Sequence, residues 1–404
     1  MMKYNKVILF TLNDLMKDGG AALRIRGLAS SFSKSSNVIL LSNNRSDNIE
    51  GVNNVYLNCP FSSVEKKIFQ FVITFFPIAL VFILFRKKLI ELESMLKGLN
   101  VSTDDEFIFC EYLDNSLGYF FKLRGTIEQY TNDHHGVATI EFQQSSSSLL
   151  SKLKYFVAKV HDEKVLSFSK KHIFASEAMK KYYYVNFHAY RDKEVKILPY
   201  YIVNDSYSLK LDEVFLDDFI FKHNLNSEAK KILFVGYFKK LGGVSDLVQA
   251  FSMLSKTLTP LELILVGDGP EYENISNLVN KLGLTDSVIL PGRIDLKYLA
   301  SLHSLSDVVV CPDRFNSYSN MIVHLKYYHA LLSGLPVVCG SFDSVSEINK
   351  NNSLSIDFIP SNVESLSLSI STALSTTKES KERIRKFVFQ NFSYDSIDVS
   401  NRIL

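Results

Sequence analysis

The chain has 404 residues, 46% hydrophobic and 22% charged, with 17 Gly and 9 Pro, which is enough apolar side chain for two ordinary cores and excludes a disordered, collagen-like or small disulfide-stapled protein. Its 45 Lys and Arg against 43 Asp and Glu leave a formal charge of +2, so no overall field recruits nucleic acid and any anion must be bound locally. Cys59, Cys110, Cys311 and Cys339 are far apart, with neither zinc spacing nor a disulfide framework, and predict buried thiols in a reducing compartment.

In chain order, MMKYNKVILFTLND lacks the apolar core and cleavage site of a secretory signal, and KVILFTL has the length of a buried strand, so a mature, cytosolic start is expected. The loop NDLMKDGGAALRIRGLASSF then sets Gly19 and Gly20 just ahead of a helix-like run from Ala21. Such glycines let backbone amides approach a diphosphate closely, and the helix start adds partial positive charge. Arg24 and Arg26 follow within two turns and read equally well as anion ligands or as a solvated helix face.

After the strand NVILLSN comes Ile68 to Phe85, IFQFVITFFPIALVFILF, 18 mostly apolar residues bracketed by Lys66, Lys67 and Arg86, Lys87, Lys88, close to a bilayer-spanning length. Strand-like runs of one apparent sheet lie on both sides of it. The segment therefore predicts a helix that is partly core and partly pressed into a membrane interface, its flanking cations near anionic headgroups.

EFIFCEY, IEQYTND, HIFAS and VKILPYY complete a first round of strands, and YTNDHHG puts Asp133, His134 and His135 in the loop after one of them. This is the one concentrated place for acid/base work in the first half. Ser145 to Ser148 reads as a loop tip, and the polar stretch from Ile202 to Ala229 as a linker holding a short helix. A second round follows in KKILFVGYF, LELILVGDG, SVILPGR, DVVVCP and LPVVCG.

Strands alternating with helices predict an α/β chain of two Rossmann-like, doubly wound parallel-sheet domains. The expected boundaries are 1–205 and 206–380, with 381–404 as a terminal helix crossing back to the first domain. A cleft between two such domains would collect strand ends, glycine turns and helix N-termini on facing walls, where a phosphorylated ligand fits. In the second half Gly236, Lys239 and Lys240, then Gly242 and Gly243, precede an amphipathic helix. Gly267, Gly269 and Pro270 end one strand, Gly292 and Arg293 another, and HLKYYHALLSGLPVVCG and SEI follow.

Taken in order from Lys231 to about Glu347, these pieces resemble the nucleotide-sugar glycosyltransferases of the GT-B fold, especially the retaining family 4; in the first half the likeness rests on Gly19, Gly20 and the strand order. Tyr237 and Gly242 stand where the family often carries an Arg and a Lys, with Lys239 and Lys240 as possible replacements in the same loop. Met321 and His329 stand where it often carries two Glu. The 22-position spacing from Pro312 to Gly334 is similar to a branch reading roughly SPLKLxEYxAxGxPVV and to xanthan-type bacterial glucuronosyltransferases. That likeness implies that Lys326 and His329, one helical turn apart and so expected on one face, contact the diphosphate and the ribose. It implies that Glu347 orients the donor or its ribose.

The resemblance further implies a hexosyltransferase that carries sugar from an NDP-sugar, with UDP as the expected nucleotide, to a glycan or lipid-linked acceptor in lipopolysaccharide, O-antigen or capsule assembly. Its setting would be the inner face of the bacterial cytoplasmic membrane. Asp133, or else His134, would position or deprotonate the acceptor hydroxyl. With no Asp-x-Asp in the chain, transfer without a metal or other cofactor is expected, lysines and amides neutralising the leaving diphosphate. A non-hydrolysing NDP-sugar epimerase and a catalytically inactive scaffold share the fold and are the alternative readings.

Overall fold

The apolar runs KVILFT and KKILFV each found a parallel sheet. In the computed structural model, which describes residues 6–13, 15, 20–42, 49–56, 61–99, 101–102, 104–110, 112–140, 149–189, 192–199, 210–258, 260–349, 352–376, 381–394, 396–397 and 399–403, the chain divides into two units. One is Met1–Pro199 with Ile397–Leu404, the other Tyr200–Ser396.

The first sheet contains β1 (Lys6–Thr11), β2 (Asn37–Ser42), β3 (Val52–Tyr56), β4 (Glu106–Cys110), β5 (Thr131–His134), β6 (Lys171–Phe174) and β7 (Glu194–Ile197), in the order β3-β2-β1-β4-β5-β6-β7. The second contains β8 (Lys230–Val235), β9 (Leu261–Val266), β10 (Val288–Gly292), β11 (Val308–Cys311), β12 (Val337–Gly340) and β13 (Ile356–Phe358), in the order β10-β9-β8-β11-β12-β13. Every pairing is parallel. Parallel strands covered on both faces read as near-continuous apolar runs, and β1, β8 and β9 carry such runs at Val7–Phe10, Ile232–Val235 and Leu263–Val266. In each sheet the strand order reverses beside its first strand, between β1 and β4 and between β8 and β11. Such a reversal opens a crevice at the carboxyl ends of the strands, where ligands bind in open α/β sheets.

The first core gathers Ile8, Phe10, Leu41, Phe109 and Phe121 around β1. The second packs Ile232, Phe234 and Leu265 of its sheet against Leu247, Val248 and Phe251 of the helix Val244–Leu254. Three features depart from the sequence expectation. β3 and β13 are additional strands, and both lie at sheet edges, where a short and polar sequence is tolerated. β5 runs to His134, so Asp133 and His134 are in a strand and not in the loop after it; Asp133 pairs with Cys110 and Ile173, and His134 with Phe174.

The third departure concerns residues 68–85. Instead of one helix they form parts of two, Ser63–Phe75 and Ile78–Leu84. Pro77, with no N–H to continue the ladder, breaks the run. Ser62 and Glu65 close a capping box at the start of the first of these helices. Phe69, Val72, Ile73, Ile78 and Val81 are buried in the core. Among the described residues no helix is long and apolar enough to cross a membrane.

Of the segment 381–404, the helix Lys381–Phe392 remains with the second unit, and Val399–Ile403 packs against the helix Gly20–Ser33 in the first. Ser31 Oγ donates to the Ile397 carbonyl at 2.9 Å and Lys171 Nζ to the Ile403 carbonyl at 2.6 Å. Cys110, Cys311 and Cys339 are buried free thiols; Cys59, Gly19 and the Ser145–Ser148 run lie outside the described residues.

Candidate functional site

In the second unit, the turns after β8, β9 and β11 are knitted together by close backbone approach. The Gly236 N–H donates to the Val266 carbonyl at 3.0 Å, the Phe238 N–H to Asp268 at 2.7 Å, and the Arg314 N–H to Leu241 at 3.0 Å. Two glycines make this possible. Gly243, just before the helix Val244–Leu254, has φ +70°, and a Cβ there would stand 1.7 Å from the Pro312 carbonyl oxygen; at Gly267, φ +143°, it would stand 1.8 Å from that of Gly236. No L side chain fits either place. Arg314 adds a two-toothed pair with Asp246, Nε to Oδ2 at 2.7 Å and Nη2 to Oδ1, tying the β11 turn to the first turn of that helix.

Lys326 belongs to this crevice. Its Nζ lies 2.6 Å from Asp313 Oδ2 and 5.3 Å from the centre of the Phe234 ring, and its side chain is half-buried. Burial alone would lower the Lys326 ammonium, but the Asp313 carboxylate outweighs it and holds the group above its ordinary value. For Asp313 the balance is the mirror image: burial would raise it, and Lys326, with His324 and Lys239 behind it, holds it below the ordinary range. His324, with Nε2 4.0 Å from Asp313 Oδ1, is pushed down to about 4 by burial against the pull of Asp313. It is neutral at pH 7. Lys239 and Lys240 are exposed in the turn after β8.

His329 departs from expectation. Its imidazole is buried and pushed down to about 4 by desolvation, and its influence falls on His303, whose own value burial brings down to about 3. Lys326 and His329, although one turn apart on the helix Leu325–Leu332, thus have different described neighbours. Arg293 is exposed just beyond β10. Glu347 is exposed on the helix Asp343–Asn349, and Gly20 is the exposed first residue of the helix Gly20–Ser33. Among the contacts described within the second unit, none joins Arg293 or Glu347 to Lys326.

In the first unit Arg24, Asp133, His134 and His135 are interior. Arg24, on the helix Gly20–Ser33, is fully buried and grips Asp133 with Nε to Oδ2 at 2.9 Å and Nη2 to Oδ1 at 2.6 Å. Its Nη1 donates to the Leu198 and Pro199 carbonyls, both at 3.0 Å. His135 Nε2 lies 2.6 Å from Asp133 Oδ2. Burial by itself would raise the Asp133 carboxyl, yet the Arg24 and His135 charges more than offset it and hold it far below the usual carboxylate range. An anion so fixed is a poor proton acceptor.

His134 is buried, stacked on Phe174 with ring centres 4.9 Å apart and 3.2 Å from His172 Nδ1, and burial pushes it down to about 3. The sequence leaves Arg24 open between an anion ligand and a solvated helix face, and points to Asp133, or else His134, for the acceptor hydroxyl. The Arg24 partner lies 109 positions away, and no local signal carries that pairing. Cys110, Asp133 and His135 offer metal-ligand atoms within 4.8 Å of one another, but both Asp133 oxygens already accept from Arg24. An incoming cation would meet a guanidinium.

These turns lie within residues 216–389, which match the family described as Glycosyl transferases group 1. The second unit carries a glycosyl transferases group 1 domain. Over 123 residues the chain is 32% identical to N-acetyl-alpha-D-glucosaminyl L-malate synthase of Bacillus anthracis, a stretch that is 30% of each protein. Solved structures match far more of the chain at lower identity. The Anabaena protein HepE in complex with UDP superposes with a TM-score of 0.68 at 14% identity, over 98% of both chains. WaaG, a glycosyltransferase involved in lipopolysaccharide biosynthesis, does so with 0.65 at 13%, also over 98% of both. With its two parallel sheets, the chain has the GT-B fold.

Proposed function

We propose that this chain is a glycosyltransferase that moves a hexosyl group from an NDP-sugar, with UDP as the expected nucleotide, to a glycan or lipid-linked acceptor in the assembly of a bacterial surface polysaccharide. One observation carries the reading: inside the matched domain, at the strand-order reversal between β8 and β11, the glycine-closed turns include the one after β11 that carries Asp313, which keeps the Lys326 ammonium charged. The domain match, the UDP complex of HepE and the pathway named for WaaG support it.

In this reading Lys326, Lys239, Lys240 and the amides of the turns neutralise the diphosphate as it departs, an electrostatic contribution made by groups already in place. A metal ion is not required by this donor set. Asp133 is not the base; it is the anchor that Arg24 holds. The group proposed to position the acceptor hydroxyl is His135, which follows β5 directly and whose ring Asp133 orients through Nε2. The acceptor is expected at the inner face of the cytoplasmic membrane, with residues 68–85 in contact with it.

The test is a thermal-shift panel of UDP-, GDP-, CMP- and ADP-sugars followed by turnover of whichever stabilises the chain. Lys326→Ala should abolish the donor shift, whereas His135→Ala should keep it and lose transfer. Nucleotide released only when acceptor is added separates this reading from an epimerase. Normal donor binding by Lys326→Ala would show the site to be elsewhere.

A further inference from the structure

The two helices that replace the expected single one do not bury all their apolar residues. On Ser63–Phe75, positions 64, 68, 71 and 75 recur at helical spacing on one face, and Val64, Ile68 and Phe71 are exposed; Phe71 keeps 59% of its surface. On Ile78–Leu84, Ile83 keeps 70% and Leu84 is exposed as well. The opposite faces fill the core, so these helices are apolar on two sides. A helix of that kind needs a second apolar environment.

A third helix carries the same pattern. On Leu149–Phe168, Leu149, Leu153 and Phe156 repeat at the same spacing and are exposed, Phe156 at 64%, while Val157, Ala158 and Val165 are buried. It packs against Ser63–Phe75. Lys154 Nζ lies 5.1 Å from the centre of the Phe75 ring, Phe71 and Phe75 are 4.8 Å apart, and His161 Nε2 is 3.0 Å from the Phe76 carbonyl oxygen. The two stripes therefore adjoin and form one patch.

The charges around the patch identify what covers it. Residues 63–88 and 149–168 hold nine Lys and Arg against three Asp and Glu, in a chain whose totals are 45 and 43. Of the three acids, Asp162 is buried and Glu65 closes the capping box. Lys67, Arg86, Lys87 and Lys152 are exposed. An apolar patch rimmed by cations complements a bilayer with anionic headgroups, its rings and aliphatic ends entering the acyl boundary while ammonium and guanidinium groups reach the phosphates. A second copy of the same face would bring like charges together.

We infer that the helices Ser63–Phe75, Ile78–Leu84 and Leu149–Phe168 form a single docking face that lies flat on an anionic lipid bilayer. This deepens the membrane contact in the reading above by adding the third helix and the lipid charge. It depends only on the surface of the first unit, so it stands or falls apart from the transfer chemistry.

The full chain, without nucleotide, is mixed with phosphatidylcholine vesicles containing or lacking phosphatidylglycerol and floated at low and high salt. Binding should be at least tenfold greater with phosphatidylglycerol and should fall as salt rises. Phe71→Glu with Phe156→Glu should lower it at least tenfold, with thermal unfolding unchanged because both side chains are exposed. Val185→Glu, an exposed apolar position of the same unit off the patch, should leave it intact. Failure to bind phosphatidylglycerol vesicles, equal loss with Val185→Glu, or a dimer in light scattering that Phe156→Glu dissociates would overturn the inference. A chain that transfers sugar in detergent yet ignores vesicles would overturn this inference alone, and one that binds vesicles but no donor would overturn only the proposed reaction.

Discussion

The two sheets share one strand order, and yet the crevices at their reversals hold charge in opposite ways. In the first unit, Arg24, Asp133 and His135 are buried and bonded to one another. In the second, Lys326 is half-buried against Asp313, and Lys239 and Lys240 are exposed beside it. A buried network of fixed partners locks a backbone in place, whereas accessible cations can take up an anion. The shared topology therefore supplies the location, and side-chain burial determines whether the charges there serve as a joint or as a binding site for an anion.

Acid should test this contrast most severely. His134, His303, His324 and His329 are all held well below 6.5 by burial, so the unfolded chain binds protons that the folded one refuses. Their contribution is whole above about pH 6.5 and drains away as pH falls toward 4, at about 1.4 kcal/mol per pH unit for each imidazole fully titrating only in the unfolded state. Urea unfolding at pH 7, 5.5 and 4.5 should show a loss of several kcal/mol. Asp133 adds its own loss only below about pH 4, the ordinary range of the unfolded carboxyl. A flat stability profile between pH 7 and 4.5 would break the claim that these rings are buried and neutral.

Next in size is Arg24→Ala, which leaves the buried Asp133 carboxylate without its guanidinium and should cost about 3–5 kcal/mol. Calorimetry should place that loss in the first unit's transition. Arg24→Met combined with Asp133→Leu should recover most of it, because removing both charges removes the desolvation penalty with them. Gly243→Ala comes third: the left-handed backbone alone costs about 1–2 kcal/mol, and the clash with the Pro312 carbonyl adds to it, so the second unit should weaken and donor affinity should fall together. Smallest is Lys240→Ala, within about 0.5 kcal/mol in stability but weaker for the donor. A large stability loss there would erase the distinction between joint and binding site.

Much of the fold could be read from the sequence because parallel strands covered on both faces carry near-continuous apolar runs, as in VILF, LILV and VVVC. β3, VNNVY, and β13, IDF, escaped because an edge position does not demand that pattern. The glycine turns were readable through residue type. The direction of a side chain was not: the Lys326 and His329 spacing correctly gives one helical turn, but their partners, Asp313 and the His303 region, come from other strands and helices. Asp133 looked like an exposed loop acid for the same reason, since only the fold brings Arg24 to it. In residues 68–85 composition revealed the two-sided apolar character, and Pro77 marked the break that length arithmetic passed over.

The return of residues Ile397–Ile403 to the first unit bears on how this protein is made. Its opening sheet can be translated in full while Ser31 and Lys171 still wait for carbonyls 366 and 232 positions further along the chain. A ribosome must therefore finish the later unit before the earlier one can close, and a fragment cut at the linker should emerge with a side of its first helix bare and prone to stick to chaperones.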